Sequence, residues 1–154
     1  MSEADDSLIA AFQEGDDNAM KLAIGQGANP NTIIDGYPVL HVAAISGDPA
    51  LVDALLKAGA DPNARDAQYG RTALAYLAWL GSSPEHEAAV HRLVQAGADL
   101  NAPDRKEHLP LDLAVGFSNR RMSRLLSGLN AQCSAASRVA LRRLLDEPNR
   151  GPQR

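Results

Sequence analysis

The chain has 154 residues, 45% of them apolar and 22% charged, with a formal net charge of −4; that balance suits one globular domain and excludes a disordered or collagen-like polymer. It contains no run of about 18 apolar residues, which excludes a helical membrane span, and its acidic start, Ser2-Glu3-Ala4-Asp5-Asp6, lacks the basic and apolar segments of a secretory signal. A cytoplasmic protein is expected, and the single Cys133 cannot form an internal disulfide.

In chain order, the first helical signal begins near Ser7-Leu8-Ile9, passes Ala10-Ala11 and breaks at Gly15. The phrase Gly27-Ala28-Asn29-Pro30-Asn31 follows; it returns as Gly59-Ala60-Asp61-Pro62-Asn63-Ala64 and again as Gly97-Ala98-Asp99-Leu100-Asn101-Ala102. Spacings of 32 and 38 residues between its glycines are those of stacked supersecondary units. Within the second unit, Val39 to Ala44 and then Leu51-Val52 with Leu55-Leu56 repeat at helical spacing and predict two short helices, broken apart at Gly47-Asp48. Ala43 and Ala44 keep the inner helix thin, while the leucines of the outer helix fill the gap between units. Gly59 can close the outer helix in the left-handed conformation, and Asp61-Pro62-Asn63 supports the turn after it. The third unit repeats this plan with about four extra residues, Ser82 to Glu85, between its helices. A last helix is predicted over about residues 132–147, with Val139, Leu141, Leu144 and Leu145 inward and Pro148 as its stop; residues 149–154 are expected to be disordered.

The units resemble ankyrin repeats. The second carries Gly36, Leu40-His41, Ala43-Ala44, Gly47, Val52, Leu55-Leu56, Gly59-Ala60 and Asn63-Ala64, with Pro38-Val39 in place of the usual Thr-Pro. The third keeps Thr72-Ala73-Leu74 but has Ala75 where His is usual; the fourth keeps Leu109-Pro110-Leu111 but has Glu107 for Gly and Asp112 for His. The first lacks the hairpin and reads as an N-terminal cap. The resemblance implies one all-α solenoid, residues 1–148, of helix-turn-helix units joined by short β-hairpin loops. Its repeats fall at about 5–32, 33–65, 66–103 and 104–130, and the last helix is expected to cap the stack.

Catalytic chemistry has little support. No Gly-rich phosphate loop, Gly-x-Ser-x-Gly elbow or His-Glu-x-x-His stretch occurs. His86 and His91 are five residues apart, off the i, i+4 face that a zinc pair needs, so neither a metal nor a cofactor is expected. By the resemblance, His41 bonds backbone in the adjoining turn. Asp112 and Cys133 remain as the only types on which an enzyme or ligand-binding reading could rest, with Cys133 more simply a small buried hydrophobe.

The resemblance places ligands on the concave face, formed by hairpin tips and the residues that follow Ala-Ala on each inner helix. Those positions are Ile45-Ser46, Trp79-Leu80 and Gly116-Phe117, to which the hairpins add Tyr37, Tyr69, Arg71 and His108. The only Trp and one of two Phe residues thus fall at equivalent places; such a patch, exposed, marks an interaction site. A non-catalytic module that binds a partner protein is the expected function, with a monomer as its expected state. An alternative is an inhibitor or immunity protein that neutralises a toxin or enzyme, since Asp35, Asp66 and Asp104 at the hairpins would suit a basic partner. Residues 1–102 carry −9 and residues 103–154 carry +5, the latter including Arg120, Arg121, Arg124, Arg138, Arg142 and Arg143. No aromatic platform accompanies these arginines, so nucleic acid is not expected.

Overall fold

The computed structural model describes residues 2–146; the tail expected to be disordered, residues 149–154, lies outside them. Helix α1 (Glu3–Glu14) starts earlier than the apolar spacing predicts. Ser2 and Asp5 cap each other's backbone N–H groups, and Gly15 closes the helix in the left-handed conformation. Helix α2 (Asp17–Gly25) is capped by Asp16. The one strand pair among the described residues, β1 (Ile33–Ile34) and β2 (Tyr37–Pro38), forms an antiparallel hairpin.

Three helix pairs follow: α3 (Val39–Ser46) with α4 (Pro49–Lys57), α5 (Ala73–Leu80) with α6 (Pro84–Gln95), and α7 (Pro110–Gly116) with α8 (Arg120–Gly128). Sequence sets their ends. Gly47 takes φ 74° after α3, and Asp48 then caps α4 by accepting from Ala50 and Leu51 N–H groups. The insertion divides: Ser82 and Ser83 form the loop, whereas Pro84 and Glu85 open a lengthened α6 whose cap is Ser83.

Inner helices α3, α5 and α7 pack in a row, and outer helices α2, α4 and α6 pack in a second row behind them. Ala43, Ala44, Ala73, Ala78 and Ala114 are fully or almost fully buried where inner helices meet; Leu51, Leu55, Leu93 and Leu126 fill the outer layer. One ion pair joins each neighbouring pair of units on the outer side: Lys21–Asp48, Asp53–Arg92 and Glu87–Arg121. Such exposed pairs contribute under about 1 kcal/mol each, so the apolar layer carries the stack.

The recurring Asn is a tie between units. The side chain of Asn31 accepts from Asp61 N and donates to Gly59 O; Asn63 does the same with Asp99 N and Gly97 O; Asn101 accepts from Gln132 N. The last helix, α9 (Ala135–Asp146), packs against α7 and α8. Leu141 meets the core, but Val139 is 61% exposed rather than inward.

Candidate binding face

Each later hairpin is built around a buried aspartate. Asp66 accepts from the N–H groups of Gln68, Tyr69 and Arg71, at 2.7, 2.7 and 2.8 Å. Asp104 accepts from Lys106 N, His108 N and the Arg71 guanidinium, at 2.8, 3.0 and 3.2 Å. Burial pushes the Asp104 carboxyl up, but the N–H groups of His108 and Lys106 and the Arg71 guanidinium outweigh it and hold the group below the usual carboxylate range. These turns also bond tip to tip, Ala67 N to Gly36 O and Arg105 N to Tyr69 O, both 2.9 Å. The acidic hairpin front expected from Asp66 and Asp104 is therefore absent, because both carboxylates turn inward and only Asp35 is exposed.

Above the hairpins runs a ladder of rings. Tyr37 meets Tyr76 edge-on at 6.1 Å, Tyr76 lies 6.0 Å from Trp79, and Trp79 lies 5.3 Å from Phe117. Offset and edge contacts of this kind contribute about 0.5–1.5 kcal/mol each beyond area burial. The Arg71 guanidinium is held over this ladder, 4.9 Å from the Trp79 ring and 4.8 Å from Tyr69, while Asp104 fixes its Nε. Trp79 is half-buried, whereas Phe117 is 57% exposed and does not lie beneath α9.

Two hollows flank the ladder. One of about 370 Å³ is lined by Tyr69, Arg71, Arg105, Lys106, His108 and Phe117 among others. A second of about 390 Å³, almost wholly apolar, is lined by Tyr37, His41, Val42, Ile45, Ser46 and Tyr76. The structure thus gathers eight of the nine candidate residues, with Trp79 between the two hollows; the ninth, Leu80, is exposed but lines neither. Tyr76, between Tyr37 and Trp79 in the ladder, is not among those nine. It stands three residues before Trp79, on the same side of α5.

The remaining reactive types are structural. Asp112 accepts from Leu109 N at 3.2 Å and Ser134 N at 2.8 Å, tying the segment before α9 to α7. Cys133 is half-buried against the core. His41 donates from Nε2 to the Arg71 carbonyl at 2.8 Å, as the resemblance implied. His86 joins the inserted loop to α3 through Ile45 O at 3.0 Å and Ser83 Oγ at 2.8 Å. Among the described residues no three His, Cys, Asp or Glu side chains converge as metal ligands, and no helix is long and apolar enough to cross a membrane.

A family model of ankyrin repeats, in three copies, matches residues 8–104 and 40–137. The chain belongs to the ankyrin-repeat family. Among curated ankyrin-repeat relatives, mouse ankyrin repeat and SOCS box protein 16 is 37% identical over 125 residues, covering 74% of this chain and 27% of the relative. Human ankyrin repeat and SOCS box protein 6 is 30% identical over 115 residues, covering 73% and 27%. Protein PhlB of Serratia liquefaciens is 34% identical over 104 residues, covering 67% and 44%. The matched segment is thus about a quarter of the length of the first two relatives. Ankyrin repeats indicate a protein–protein interaction module.

Proposed function

We propose that this ankyrin-repeat protein is a non-catalytic binding module that holds one partner protein on its concave face. The observation that carries the reading is the continuous ladder Tyr37–Tyr76–Trp79–Phe117, with Ile45 and Phe117 left exposed beside two hollows. Apolar and aromatic surface of this kind is costly in water and is characteristic of interface hot spots. Asp112 and Cys133 support no enzymatic alternative, since both serve packing or backbone hydrogen bonds. The inhibitor reading keeps only Asp35 of the three aspartates that would suit a basic toxin, because Asp66 and Asp104 are buried.

Affinity capture from the source cell with wild type, Phe117→Ala, Trp79→Ala and Leu22→Ala tests the proposal. Leu22 is a control of equal chemistry: it is 63% exposed, but on α2. A central aromatic truncation costs about 2 kcal/mol or more, roughly thirtyfold in affinity. Prey lost with both aromatic variants and kept with Leu22→Ala is the expected result; prey kept by all three would overturn the reading.

A further inference from the structure

The ladder divides the face into two ends of different chemistry. At the hollow beside α3 the walls are Ile45, Val42 and the rings of Tyr37 and Tyr76. At the other end, Arg71, Arg105, Lys106 and His108 line the groove with Tyr69 and Phe117. Two carboxylates, Asp104 and Asp112, also border that groove, yet each is at least nine-tenths buried and hydrogen-bonded by backbone N–H groups. Asp104 is the counter-ion of Arg71, 3.2 Å away, and Asp112 is bound by backbone N–H groups, so the cations left for a ligand are Arg105 and Lys106. Glu107 is exposed at the same hairpin tip but is not part of the lining. Among the described residues neither Arg105 nor Lys106 forms an ion pair; Arg105 uses one nitrogen on the Gln68 carbonyl, at 3.0 Å.

We propose that the partner's bound segment is acidic, its carboxylates lying along Arg105 and Lys106 while an apolar side chain of the same segment fills the hollow at Ile45. The proposal rests on the concave-face reading and adds a sign and a direction to it. Charge complementarity argues for it: the net charge of the molecule is negative, yet the accessible charge in this groove is positive. The phenol of Tyr76 is kept protonated by burial and His41 is kept neutral by burial, so the hollow offers no ionic attraction and favours an uncharged group.

Trp79 is the sole tryptophan and stands between the two hollows, so its fluorescence is the readout. The probes are the capped peptides Leu-Ser-Ser-Glu-Glu-Glu, Leu-Ser-Ser-Gln-Gln-Gln and Leu-Ser-Ser-Lys-Lys-Lys, together with the reversed order of the acidic one. The full chain is titrated at low and at physiological salt. The expected result is a saturable response to an acidic peptide in one order, weaker at higher salt. The double variant Arg105→Glu with Lys106→Glu, at two exposed positions, should weaken it at least tenfold; Ile45→Asp should weaken it in the same titration. Equal responses to the neutral or basic peptide, no response to either acidic peptide at millimolar concentration, or an unchanged double variant overturns the proposal. Circular dichroism melts confirm that each variant is folded. Partner capture that depends on Trp79 and Phe117 would leave the binding-module reading standing if the acidic probes failed.

Discussion

The imidazole of His41 spans a repeat boundary to the carbonyl of Arg71, 2.8 Å from Nε2, while its Nδ1 is buried without a partner. With Nε2 donating, Nδ1 is an acceptor lone pair. Three residues earlier stands Pro38, which gives α3 no side-chain cap; in the next unit the equivalent Thr72 caps Ala75 N at 3.2 Å. Thr and His have been separated between the two units.

Replacing Pro38 by Thr should therefore stabilise the protein. An N-terminal cap contributes about 0.5–2 kcal/mol, and partnering a buried acceptor adds to that, against a loss of about 0.4–1 kcal/mol from a more flexible unfolded chain. The expected net gain is about 1 kcal/mol, a rise of roughly 2–4 °C in Tm for a chain of this size. Differential scanning calorimetry checks it, and a lower Tm would contradict the geometry.

Burial pushes His41 below its ordinary value of 6.5. As pH falls through the window beneath 6.5, the unfolded chain takes the proton before the folded one does. Stability present at neutral pH is thus lost between pH 6.5 and the lower folded value. Denaturant melts at pH 5 and pH 7 should show this loss in wild type and a flatter dependence in His41→Gln. Carboxylates held low, such as Asp104 and Asp112, contribute a separate loss that begins below about pH 4.

The residue-by-residue pattern made the stack legible, because a helix closing at Gly59 or a turn at Asp61-Pro62-Asn63 depends on neighbours in sequence. The ring positions Trp79 and Phe117 were legible for the same reason, as equivalent places in successive units. Hydrogen-bond partners far along the chain were not. Asp66 and Asp104 are a mixed case: each accepts from N–H groups two to five residues on, an Asx-type turn as local as the one at Asp61, and only the pairing of Asp104 with Arg71, 33 residues away, leaves no mark on its neighbours. At Asn119 the local signal is an asparagine suited to cap a helix; the carbonyls its amide reaches, 38 to 41 residues away, leave no mark on the neighbouring sequence.

That residue makes a sharp test. Its Nδ2 donates to Gly81 O at 2.8 Å and Ala78 O at 3.1 Å, and its Oδ1 caps α8 at Met122 N. Asn119→Ala removes all three and should cost about 2–3 kcal/mol by the sum of a cap and two hydrogen bonds. Asn119→Asp keeps the cap but sets a carboxylate oxygen against the carbonyls of Gly81 and Ala78, so its urea midpoint should fall below that of wild type even though the cap is intact.

At the hairpin tips, Gly36 and Gly70 take φ of 86° and 65°; the third tip holds Glu107 at φ 63°. A side chain there costs about 1–2 kcal/mol, partly offset by the extra unfolded-state freedom of glycine. Glu107→Gly should raise stability by about 0.5–1 kcal/mol in a urea melt, without altering the turn bonds of Asp104.

The asparagine ties Asn31 and Asn63 meet the same backbone groups one unit further on, and Asn101 repeats the accepting half of the tie. Such a joint is indifferent to how many units stand on either side of it. A duplicated middle unit, spliced in after Ala64, would find its lower donors and its upper acceptor already waiting. Length is thus an adjustable dimension of this molecule, and a longer version could widen the span of the recognition face without redesigning any seam.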